Sequence, residues 1–133
     1  MNLRIGTLPF VILITIATTQ CASNSARIVD GLPAGINLVD AKQVEIHDGG
    51  GQVVLSGAFS NHKAPLANTG TNAKGLAEIE IEKVGTSLKQ EIEVAVEKLP
   101  PSASFKLVVD GKEVATFLTS SAGKRAMKFT RKD

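Results

Sequence analysis

The sequence predicts an all-β domain, an antiparallel β-sandwich of about six to eight short strands with an open β-barrel as the alternative. Three observations carry that expectation. AEIEIE (Ala77 to Glu82) and EIEVAVE (Glu91 to Glu97) alternate apolar and acidic residues with the period of two that a half-buried strand requires. Asp110-Gly111 stands between FKLVV and KEVATF as a two-residue hairpin turn. Turn-forming clusters recur at short intervals throughout, and no stretch carries a helical period.

In chain order, Leu32 to Leu38 holds Pro33 and Gly35 and reads as an edge segment or an irregular approach to the sheet. Val44 to Phe59 reads as a hairpin. Val44 and Ile46 alternate with Glu45 and His47, DGGG turns the chain, and Val53, Leu55 and Phe59 resume beyond it. Ser60 to Gly75 is polar, with Pro65, two glycines and three asparagines, and is expected to be a loop at 60–75.

Beyond that loop, VGTS turns AEIEIE back onto EIEVAVE, which places Ala77, Ile79 and Ile81 on the core side with Ile92, Val94 and Val96. Pro100-Pro101 ends the second strand, because proline cannot donate to a ladder. A type I′ turn at Asp110-Gly111 would pair Val109 with Lys112, Leu107 with Val114 and Phe105 with Thr116. RAMKF (Arg125 to Phe129) is the last expected strand, with Arg125, Met127 and Phe129 on one face.

The N-terminus is of a different kind. Arg4, the apolar run Leu8 to Ala17 and the small-residue stretch TTQCASNSA have the make-up of a signal peptide over residues 1–25, which leaves 26–133 as one all-β domain. The apolar run is too short to span a bilayer. Cys21 stands where a lipoprotein carries its lipidated cysteine, although Gln20 before it departs from that pattern. It is the single cysteine of the 133-residue chain, so no disulfide staples the domain. That favours a bacterial exported protein, in the periplasm, the cell envelope or the medium. Membrane attachment is expected only through lipidation at Cys21.

Trp and Tyr are absent, so Val, Ile, Leu and Ala must build the core around a few Phe residues. The formal charge is +2, and Arg4 is the only charged residue of the first 25, so the domain carries +1. A nucleic-acid binder would be far more basic, and none is expected.

GLAEIEIEK, EVAVEKLP, FKLVVDGKEVATF and SSAGKRAMKF together resemble a repeated all-β unit of uncharacterised bacterial exported proteins, in which an acidic alternating strand, an LP turn and a VDG hairpin follow one another. GLPAGINLVDAKQVEIHDGGGQVVLSGAF is similar to the closing hairpin of that unit, with its LSGxF ending. The chain would then hold the closing part first and the opening part last. The resemblance covers most of the domain and implies no activity and no active site.

Candidate sites are few. Glu78, Glu80 and Glu82 on one strand share an outward face with Glu91, Glu93 and Glu97 on its partner, a surface for water or for a cationic partner. Lys124, Arg125, Lys128, Arg131 and Lys132 form a basic tail that suits an anionic surface or a solubilised edge strand. His47 and His62, with Asp48, are the only histidine-based set for a metal or for catalysis, and fall short of the ligand number a transition-metal site wants. DGGGQ lacks the Lys-Ser/Thr pair and following helix of a phosphate loop, a GxSxG elbow is absent, and no cysteine follows Cys21. The expectation is a non-catalytic binding or structural module without a cofactor, its partner an unidentified protein or envelope polymer. A small metal-dependent protein or enzyme using His47 and His62 is the alternative.

Overall fold

A computed structural model describes residues 27–68 and 70–133. The expected signal segment at 1–25, with Cys21, lies outside the described residues. Nine strands follow one another: β1 (Ile28–Gly31), β2 (Gln43–Asp48), β3 (Val53–Ala58), β4 (Lys63–Ala67), β5 (Lys74–Val84), β6 (Ser87–Glu97), β7 (Ser104–Val109), β8 (Lys112–Leu118) and β9 (Arg125–Lys132).

These strands make one sheet rather than the two facing sheets of a sandwich, in the order β1-β9-β6-β5-β4-β3-β2-β7-β8. All neighbours are antiparallel except β1, which runs parallel to β9. Inward residues from opposite ends of that order, among them Phe117 on β8 and Phe129 on β9, belong to one core cluster, so the sheet curls around it. It stays open, because β1 and β8 remain outer strands. The open-barrel expectation is the closer one. The reason is continuity: β6 pairs on both sides, with β5 and β9, and β2 pairs on both sides, with β3 and β7.

The β5–β6 hairpin has the faces its alternation predicts. Ala77 sits opposite Val94 and Ile79 opposite Ile92, all four buried, and both strands extend to 11 residues. Met127 and Phe129 join them from β9, 1% and 2% exposed.

Elsewhere the structure corrects the sequence. The 60–75 stretch is not all loop, because β4 crosses it with Ala64 and Leu66 buried and Lys63, Pro65 and Ala67 outward. Pro65 costs little there, since β4 meets β3 through the single partner pair Ser56 and Ala67 and needs few donors on that side. The β7–β8 turn has positive φ at Asp110 (48°) and Gly111 (80°), as a type I′ turn requires. Its ladder starts with Val109 opposite Lys112, but a bulge then sets Leu107 opposite Ala115 and Phe105 opposite Phe117. The extra residue lets Val114 and Phe117, three apart, both face inward, and stacks the Phe105 and Phe117 rings at 6.0 Å. A second bulge, at Ile46 and His47, turns Val53 outward to 43% exposure.

Upstream, β1 was not foreseen, and the irregular segment after it is a plug. Leu32, Ile36 and Leu38 are buried at the open side of the sheet. Gln90 Oε1 accepts the Leu38 N–H (2.7 Å), and Arg131 Nη1 donates to Pro33 O and Ile36 O (2.7 and 2.8 Å). At the other end, the Asp110 carboxylate accepts the N–H groups of Lys42 and Gln43 (3.0 and 2.9 Å). The plug therefore ties β6 and β9 to the β7–β8 turn, and holds together the two ends of a sheet that never closes.

Candidate functional site

The outward face of β5, β6 and β9 can be read row by row across the strands. Glu82 faces Lys89, which faces Lys132; Glu80 faces Glu91, which faces Thr130; Glu78 faces Glu93, which faces Lys128. The acidic face and the basic tail are thus neighbours in one sheet. Their charges offset one another only at Glu91 and Glu93. Lys128 Nζ lies 3.5 Å from Glu91 Oε2 and 3.7 Å from Glu93 Oε1, Lys89 Nζ lies 3.8 Å from Glu91, and Arg27 Nη1 reaches Glu93 at 3.3 Å. Glu91 is left only 7% exposed. Glu78, Glu80 and Glu82 are solvated and form no ion pair among the described residues. Glu91 and Glu93 converge on the Lys128 ammonium, and no three carboxylates of this face gather into a group able to hold a metal ion among the described residues.

The basic set also divides. Lys128 serves the glutamates, and Arg131 turns inward to hold the plug, its Nε donating to Asp133 Oδ1 at 2.8 Å. Lys132 is exposed. Arg125 donates from Nε to Leu118 O at 2.7 Å. Lys124 and Arg125 stand apart from the rest, at the start of β9, beside a trough of about 630 Å³.

That trough begins where the face changes character. Next to the Glu78 row, Leu76, Ala95 and Ala126 sit side by side, an apolar floor that is low at the two alanines and rises at Leu76. Beyond it, Lys74 faces Glu97, and their charged groups lie 3.6 Å apart. The β8–β9 turn rises along the third side with Ser120, Ala122 and Lys124. Its shape is held from below. Ser120 Oγ accepts the N–H groups of Ala122 and Lys124, Ser120 N–H donates to Lys124 O, and Gly123 (φ +75°) packs directly on the Leu99 carbonyl. Of its lining, Lys124, Arg125 and Glu97 are candidates in the sequence, as parts of the basic tail and the acidic face, but the concavity that joins them is not legible there. Its one local signal is Ala95, the only outward residue of EIEVAVE that is not glutamate.

The histidines lie elsewhere. His47, on β2, has Nε2 3.0 Å from Glu45 Oε1 on the same strand, and His62 sits in the β3–β4 turn with φ 66°. No group of three or more His, Cys, Asp or Glu able to hold a metal ion forms among the described residues. Asp48 instead shapes its own turn, its Oδ1 accepting the N–H groups of Gly50 and Gln52.

No protein-family model, no curated protein and no solved structure matches this chain.

Proposed function

We propose that the protein is an exported, non-catalytic β module of the bacterial envelope or secretome that acts by binding a ligand in the trough between β5, β6, β9 and the β8–β9 turn. The trough carries the reading. Its volume lies within the roughly 300 to 1,000 Å³ usual for small-molecule sites, and its walls are ladder and a hydrogen-bonded turn, so little ordering opposes binding. Export is supported by Arg4, the run Leu8 to Ala17 and the small residues around Cys21, and by the resemblance to exported bacterial proteins.

Two measurements test it. Intact mass of the protein recovered from its host should show an N-terminus between Cys21 and Ala26, with a diacylglyceryl mass on Cys21 marking an anchored form; a chain still beginning at Met1 rejects export. Retention on envelope polymers should fall when Ala95→Phe fills the trough, and equal retention by the variant rejects the trough as the binding site.

A second reading keeps one observation, the imidazole of His47 held against Glu45, an arrangement that also orients metal-binding or catalytic histidines. Zinc titration followed by the His47 ring resonances decides it. Saturable binding lost in His47→Ala would favour a metal-dependent role over the module.

A further inference from the structure

We propose that the trough takes a small organic anion, an apolar body ending in a carboxylate, with the carboxylate held at the Lys74 and Lys124 end. This inference rests on the trough being the binding site.

Charge selects the sign. Three cationic side chains, Lys74, Lys124 and Arg125, and one anionic one, Glu97, line the concavity. Lys124 is exposed and makes no ion pair among the described residues. Lys74 is paired with Glu97, but at 3.6 Å and with side chains 59% and 40% exposed, a contact that water already weakens and an incoming anion can share. A cation would meet net repulsion here, in contrast to the glutamate rows on the same face.

The floor selects the rest of the ligand. Leu76 is 39% exposed, among the large apolar side chains the described residues leave uncovered, and Ala95 and Ala126 beside it leave room for a body to lie on the strands. A purely hydrophilic ligand would leave that surface unused. The trough is half-enclosed by the turn, which suits a free small molecule better than a flat membrane.

The turn also positions the head group. Ser120, 7% exposed, receives both the Ala122 and the Lys124 N–H on its hydroxyl, so the Lys124 backbone is placed before any ligand arrives. Glu97 is the opposing element, a carboxylate beside the seat of another.

The test uses protein recovered from its host and its variants, titrated by calorimetry and amide chemical shifts with hexanoate, its neutral isostere hexanamide, and inorganic phosphate. Hexanoate should shift the Leu76, Ala95 and Ala126 amides and bind about tenfold tighter than hexanamide at low salt, with the margin shrinking as salt rises. Lys124→Gln should abolish most of that margin, Glu97→Gln should tighten hexanoate roughly threefold by freeing Lys74, and Ala95→Phe should abolish binding. Hexanamide binding as well as hexanoate, or Lys124→Gln binding unchanged, overturns the anion. Phosphate binding as well as hexanoate overturns the apolar body. If none of the three binds yet Ala95→Phe still releases the protein from an envelope polymer, the ligand class falls and the module reading stands; if Ala95→Phe changes nothing with any probe, both fall.

Discussion

The Leu38 N–H donates to Gln90 Oε1 at 2.7 Å, a buried bond that joins the plug after β1 to the middle of β6 across 52 residues. Gln90 is 3% exposed and spends its other end on Asp133 Oδ2 at 3.1 Å. It therefore serves as a fastening point for both the plug and the C-terminus. Gln90→Leu keeps the volume and leaves the Leu38 donor buried without an acceptor. Equilibrium urea unfolding should show a loss of about 1 to 3 kcal/mol, with increased hydrogen exchange at Leu38.

The two glycine turns on either side of β8 differ in what surrounds them. Gly111 has φ +80° with open space around it, whereas a methyl on Gly123 (φ +75°) would collide with the Leu99 carbonyl. Gly111→Ala should cost about 1 kcal/mol, the left-handed penalty alone, and Gly123→Ala distinctly more than about 2 kcal/mol. Thermal unfolding of the pair measures the difference. Equal costs would mean that the β8–β9 turn yields to the added methyl.

Lys128 stands between two carboxylates, one of them buried. Lys128→Glu should destabilise by roughly 1 kcal/mol or more, and Lys128→Gln by less, because only the former adds a third like charge to the row. The gap between the variants should narrow in high salt, where the exposed part of the repulsion is screened. Urea midpoints at two ionic strengths provide the check.

The bulge in β7–β8 brings Phe105 and Phe117 opposite each other with rings 6.0 Å apart and tilted by 31°. A double-mutant cycle with leucine at each position should give a coupling of about 0.5 to 1.5 kcal/mol. A coupling near zero would be the result expected of the unbulged register, which pairs Phe105 with Thr116.

What the sequence determined by itself is what short-range periodicity and turn chemistry encode. AEIEIE and EIEVAVE declare their buried faces because successive side chains in a strand point to opposite sides, and Asp110-Gly111 declares its turn because few residues accept positive φ. Even β4 was legible in retrospect, through Ala64 and Leu66 alternating inside a stretch whose polarity masked them. Only the tertiary structure decided which strands lie side by side. Nothing local to RAMKF says that Lys128 will stand against Glu91 and Glu93, so the acidic face and the basic tail read as two separate candidate sites when they are neighbours that share Lys128 as the link between them. The plug and the trough share that origin. Leu32, Ile36 and Leu38 are buried in the common core while Gln90 of β6 and Arg131 of β9 hold the backbone around them, and the floor of Leu76, Ala95 and Ala126 comes from three strands whose adjacency is set by long-range ladder pairing around that core, a property of the folded chain that no window of neighbouring residues contains.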